Sequence, residues 1–237
     1  VHVQPQLLSF QVWTRDGRQL VFSSQADGAL GSLFRQAADG SGVAERLTQS
    51  RAIQRPSAAL RDGSGILFFD RAGIQLLTLN SERQTQPVVQ SAQGVGHGVV
   101  SPDGRWLAYV ARDANAPSQV FVSPFANPDR ARTVVSKDGG TQPRWSPDGR
   151  EIFFIGPDGI LMSAALLPGE TLGIGIPRRV LQRPYYNGFG LVERPDTYDV
   201  APDGRFLMLK QASSSDARDL PATVVVVKNW FEELRRR

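Results

Sequence analysis

The chain has 237 residues and no cysteine, which excludes disulfide frameworks, thiolate metal sites and cysteine nucleophiles. Its 27 Lys and Arg against 23 Asp and Glu give a net charge of +4, with basic residues clustered only in the arginine run at 235–237; a nucleic-acid footprint is a basic stripe with interleaved aromatics, so no nucleic acid is expected as a partner. No apolar run approaches the ~20 residues of a membrane-spanning helix, so no membrane insertion is expected. The chain begins at Val1 without an initiator Met or a signal-peptide pattern, as expected of a piece of a longer protein.

Taken in chain order, the sequence divides into five related segments. The first, 9–50, carries WTRDGRQLVF at 13–22, followed by expected strands at 32–36 and 44–48. The second, 51–93, carries ALRDGSGILFF at 59–69, with Ala59 and Arg61 where the pattern elsewhere has Trp and Pro. The third, 94–138, opens on Gly94-Val95-Gly96-His97-Gly98 and continues with SPDGRWLAYV at 101–110. The fourth, 139–184, carries SPDGREIFFI at 146–155, with strands expected at 160–166 and 179–182. A longer insertion at 184–195 leads to the fifth, 195–237, with APDGRFLML at 201–209, a third strand at 224–227 and a short C-terminal helix at 229–237 that presents Trp230, Phe231 and Leu234 on one face.

The repeated element is an Asp-Gly turn at Asp16, Asp62, Asp103, Asp148 and Asp203, spaced by 46, 41, 45 and 55 residues. Asp bonds its own backbone, Gly accepts a positive φ, and Pro presets the turn. Each turn is followed by a nearly continuous apolar run, which marks a strand buried on both faces. The period suits a propeller blade of four strands and is too long for leucine-rich or ankyrin repeats. The expected fold is all-β, a β-propeller of about five four-stranded blades; the alternative is a six-bladed ring or a fragment of a larger one. The segment 2–8 is expected to supply a closing strand.

Trp145 to Phe154 closely matches W-S-P-D-G-R-x-[LI]-x-[FY], and Ser101 to Tyr109 nearly so. On these residues the chain resembles the TolB-like, WD-type propeller repeats of bacteria. Tyr198-Asp199-Val200 before the fifth turn, and VVVVKNWFEEL at 224–234, resemble the C-terminal propeller regions of bacterial membrane-anchored serine/threonine kinases and related sensors. That resemblance implies a periplasmic or extracytoplasmic repeat protein joined to a kinase or other signalling domain. TolB has six blades and a separate N-terminal domain, and neither is read here.

The Asp-Gly turns join the first and second strands, so they fall at one end of the propeller and are read as structural. The opposite, loop-rich face is the expected binding face, carrying Asp27, Arg55, Asp70, Arg71, His97, Arg112, Asp113, Asn115, Gln142, Glu193, Arg194 and Asp196. The neighbouring Asp70 and Arg71, Arg112 and Asp113, and Glu193 and Arg194 suit recognition of polar ligands or a charged protein surface; the alternative is that they are solvated loop charges. His97 is read as lying in a flexible stretch before a strand, where glycines let a ligand approach the backbone. Tyr185, Tyr186 and Asn187 on the inserted loop suit stacking on a sugar or gripping a peptide, or packing over the channel.

Catalytic motifs are not found: there is no G-x-S-x-G, H-E-x-x-H or S-x-x-K, and with only His2 and His97 a three-histidine metal centre is excluded. No cofactor or metal is expected. The sequence points to a non-enzymatic sensing or binding module that takes a protein, peptide or cell-wall-type ligand on its loop face. Its alternatives are a carboxylate-dependent hydrolase or lyase working in the channel, and an inter-domain scaffold.

Overall fold

The computed structural model describes residues 10–25, 31–91, 94–113, 116–167, 172–182 and 195–209. These residues form five antiparallel sheets. The first holds β1 (Gln11–Trp13), β2 (Gln19–Ser24), β3 (Ser32–Ala37) and β4 (Glu45–Arg46), and the second β5 (Arg55–Ala59), β6 (Gly65–Asp70), β7 (Gly73–Thr78) and β8 (Thr85–Gln90). The third holds β9 (Val95–Val100), β10 (Trp106–Ala111), β11 (Gln119–Pro124) and β12 (Thr133–Val134). The fourth contains β13 (Thr141–Trp145), β14 (Glu151–Ile155), β15 (Leu161–Leu167), β16 (Gly173–Ile174) and β17 (Arg178–Arg179), and the fifth β18 (Tyr198–Val200) and β19 (Phe206–Met208). First strands of successive sheets lie side by side, β1 by β5, β5 by β9, β9 by β13 and β13 by β18. This is the arrangement of a β-propeller of about five blades around a channel.

Each repeat turn is held by local bonds that its motif specifies. In the third blade the Ser101 carbonyl accepts from Gly104 N–H at 2.9 Å, and Ser101 N–H donates to Trp106 O at 2.8 Å. The Ser101 hydroxyl donates to Asp103 Oδ1 at 2.5 Å and accepts from Trp106 N–H at 2.9 Å, while the same carboxylate oxygen accepts from Arg105 N–H at 3.1 Å. Gly104 sits at φ +76, which glycine adopts without a Cβ penalty. Ser146 with Asp148, and Thr14 with Asp16, repeat the pattern. Burial works to raise the Asp103 carboxyl, but the Ser101 hydroxyl and Arg105 outweigh it and hold it at about 2. Ser101→Ala should therefore lower stability by about 1–2 kcal/mol in urea denaturation, whereas Ser101→Thr should not; an unchanged midpoint for the alanine variant would show that water replaces the hydroxyl.

The apolar runs after the turns send alternate side chains to opposite sides. From β6, Ile66 and Phe68 pack with Val21 and Leu33 of the first blade, while Leu67 and Phe69 pack with Val95, Leu107 and Tyr109 of the third. In β10, Ala108 and Val110 turn toward Ile152 and Phe154 of the fourth blade, and from β14 Phe153 and Ile155 turn toward Tyr198 and Phe206 of the fifth. The core is thus a series of layers between blades, each buried large side chain contributing about 1.5–3 kcal/mol. Trp145 adds a specific tie, its indole Nε1–H donating to Val99 O of the preceding blade at 3.0 Å.

Several sequence expectations need correction at their edges. The last strand of the first blade is Glu45–Arg46 rather than 44–48. In the fourth blade, Gly173–Ile174 and Arg178–Arg179 both pair with β15, where a single strand at 179–182 was expected. Two-residue strands carry no periodicity for a sequence reading to detect. Asp158-Gly159 forms a further turn of the same chemistry between β14 and β15. The expected closing strand at 2–8, the strand at 224–227 and the helix at 229–237 lie outside the described residues.

Candidate functional site

The first strands are irregular at one recurring place. In β9, Val99 pairs with Ala108 and Gly96 with Val110, leaving His97 and Gly98 opposite Tyr109 alone. In β13, Arg144 pairs with Phe153 and Thr141 with Ile155, leaving Gln142 and Pro143 opposite Phe154. A bulge of this kind re-aims side chains. His97 and Gln142 take φ +53 and +55, a left-handed conformation that costs a non-glycine residue about 1–3 kcal/mol and clusters at functional sites. In β5 the pairing shifts around Ser57, whose hydroxyl donates to Gly98 O at 2.8 Å and so ties the second blade to the bulge of the third.

Asp196, just before β18, gathers these elements. Its Oδ1 lies 2.8 Å from His97 Nδ1, and its Oδ2 accepts from Arg144 Nη2. Arg144 also donates through Nη1 to Pro143 O at 3.1 Å and lies through Nε 3.5 Å from Asp199 Oδ1. Gln142 Oε1 accepts from Thr197 N–H at 2.7 Å and from its hydroxyl at 3.0 Å, and Tyr198 donates its hydroxyl to Gln142 O at 2.8 Å. A carboxylate from the fifth blade therefore bridges the fourth to the third. Bulges in β9 and β13 present the residues that meet it.

The electrostatics follow from this packing. Burial works to raise the Asp196 carboxyl, but Arg144 and His97 outweigh it and hold the group well below the usual carboxylate range. Burial likewise works against the Arg144 charge, and Asp196 and Asp199 overcome it, pushing the guanidinium further up. Burial drives Tyr198 well above its ordinary value, so it remains a hydroxyl donor. The carboxylate at Nδ1 makes that nitrogen the protonated one, and in the neutral form of the ring the lone pair is then on Nε2. His97 is 1% exposed, and its Nε2 has no hydrogen-bond partner among the described residues. Phe69 flanks the ring at 5.5 Å, and Arg55 lies 5.9 Å from the Phe69 ring.

The rim expected from sequence divides in two. His97 is not on a flexible stretch before a strand: it lies inside β9 and is buried. Asp70 is not paired with Arg71; its Oδ1 accepts from Ala72 N–H at 2.8 Å and shapes the turn from β6 to β7, where Arg71 is exposed. Asp113 is paired not with its neighbour Arg112 but with Arg132, at 3.5 Å. Arg112 and Asp113 do share a cleft of about 470 Å³ with Tyr109, Asp129 and Arg132. Asp27, Asn115, Tyr185, Tyr186, Asn187, Glu193 and Arg194 lie outside the described residues. Arg144 and Thr197 were missed. A register signal was available, because His97, Gln142 and Thr197 each stand six residues before their turn aspartate.

Among the described residues no group of His, Asp and Glu is arranged to hold a metal ion, and no helix is long and apolar enough to cross a membrane. No family model matches the chain, and no curated protein matches it significantly. Solved structures do. A putative TolB from Agrobacterium tumefaciens is 19% identical with a TM-score of 0.64, over 92% of this chain and 74% of that one. A gluconolactonase from Xanthomonas campestris is 15% identical with a TM-score of 0.62, over 87% and 71%. TolB from Acinetobacter baumannii is 16% identical with a TM-score of 0.51, over 71% of this chain, which spans 45% of that protein's length. At such identities the likeness concerns fold alone, and it includes both TolB-type and enzymatic propellers. The chain has a TolB-like β-propeller fold.

Proposed function

We propose that this chain is the binding module of a larger bacterial, extracytoplasmic protein, taking a protein, peptide or cell-wall-type ligand at the channel end lined by His97, Arg144 and Asp196 and passing occupancy to an attached domain such as a kinase. One observation carries this reading. Residues from the third, fourth and fifth blades converge on Asp196 through strained, bulged strands. Bound material there would touch several blades at once, which suits a module that reports occupancy. Asp70, Arg71, Arg112 and Asp113, with Tyr185, Tyr186, Asn187, Glu193 and Arg194, are proposed as the outer part of the same loop face.

The test is a glycan and peptide array followed by calorimetric titration of the best hit. Arg144→Gln should weaken that hit about tenfold or more, the worth of one charged hydrogen bond. A hit insensitive to Arg144→Gln, or one that the protein turns over, would sink the proposal.

A second reading rests on the Asp196–His97 pair. A carboxylate on Nδ1 with an unpaired Nε2 is also the geometry of an oriented general base. Hydrolase or lyase activity abolished by His97→Gln would establish it.

A further inference from the structure

We propose that His97 Nε2 is the acceptor for a hydroxyl group of a small, neutral polyhydroxylated ligand. The inference rests on the binding reading above and deepens it. A buried polar atom without a partner costs about 1–3 kcal/mol, and native interiors seldom leave one so. Here the atom belongs to a side chain that the fold takes trouble to aim: His97 sits at φ +53 on a bulge, and Asp196 holds its other nitrogen at 2.8 Å.

The surroundings select the chemistry. Among the described residues, the charged groups around the imidazole are Asp196 and, through it, Arg144; Asp199 lies beyond Arg144, and Arg55 lies against Phe69. These two carboxylates and two guanidiniums balance, so among the described residues neither sign of ion is favoured. A carboxylate ligand would meet an acceptor at Nε2 and two aspartates nearby; an ammonium ligand would meet two arginines. A hydroxyl donates to Nε2 while its own oxygen accepts from a neighbour, and the Phe69 ring, packed against the imidazole at 5.5 Å, holds the acceptor in place. Several hydroxyls on one frame suit a setting of alternating donors and acceptors.

The tautomer and the ligand class can be read together on the full chain. His2→Ala leaves His97 as its single histidine, so ¹⁵N-histidine labelling reports one imidazole. The unliganded protein should show the proton on Nδ1. Titration with glucose, N-acetylglucosamine and sorbitol should shift Nε2 and leave Nδ1 largely in place, whereas acetate and N-methylacetamide should not. His97→Phe should weaken the best polyol about tenfold, the worth of one hydrogen bond to a buried acceptor; His97→Gln, which restores an acceptor at that reach, should recover part of it. A proton found on Nε2, or a response to N-methylacetamide or acetate but not to polyols, overturns the inference and leaves the binding reading standing. Silence of Nε2 toward every probe, together with an array that yields no ligand, overturns both.

Discussion

Asp196→Ala should lower the stability of the chain by about 3 kcal/mol, because it strands a guanidinium in a partly buried site rather than merely deleting a contact. Arg144 and Asp196 have side chains only 17% and 23% exposed, so water compensates poorly. The same change leaves His97 Nδ1, 1% exposed, without its partner. The pH dependence carries a definite sign. Asp196 is held below its ordinary value of 3.8, so the ionised carboxylate stabilises the fold fully above that value and loses its contribution as pH falls below it toward the folded value. Asp196→Asn removes that titration. Urea midpoints of wild type and Asp196→Asn should differ widely at about pH 7, and the gap should begin to narrow only as the pH falls below about 4. A constant gap across that range would mean that the carboxylate charge contributes nothing.

Gly73→Ala should be at least as severe, at about 4 kcal/mol, in the exceptional range for a point substitution. Gly73 opens β7 opposite both Asp70 and Gln90, at φ +122. A Cβ there would stand 2.0 Å from Val89 O, which is backbone and fixed in the ladder to β8. Either β8 leaves β7 or the turn carrying Asp70 and Arg71 is rebuilt. Gly17→Ala is the control: at φ +68 its Cβ would meet nothing within 4 Å, so only the conformational cost of about 1–2 kcal/mol applies. Equal denaturation midpoints for the two variants would show that the second blade rearranges freely around Gly73.

The blades were legible because their punctuation is local. Asp, Gly and the preceding Ser or Thr bond within five residues of one another, so the turn is written in a single short stretch. The doubly buried strands were legible for a similar reason, since Ile66 to Phe69 leaves no polar side to face water. The site was legible only in part. His97, Gln142 and Asp196 were grouped by sequence on one face, and the structure joins His97 to Asp196 directly, but the burial of His97 depends on how a bulge turns a strand. Arg144 stands in TQPRW, which gives no hint of a carboxylate partner 52 residues further on. Adjacent opposite charges do not pair with each other: Asp70 bonds backbone and Asp113 reaches Arg132, because neighbours along an extended chain point away from each other.

The bond from Asp196 to His97 spans 99 residues of sequence. Closing a contact of such separation costs the chain more entropy than any turn within a blade. During synthesis, the strand with His97 and the strand with Arg144 both emerge before the carboxylate that joins them. The assembled cluster is therefore a certificate of folding through the fifth blade: a chain halted in the fourth blade presents a histidine and an arginine but no organised pair. Any ligand of this cluster would stabilise only molecules whose fifth blade has docked, drawing them out of the pool of partly folded chains by mass action.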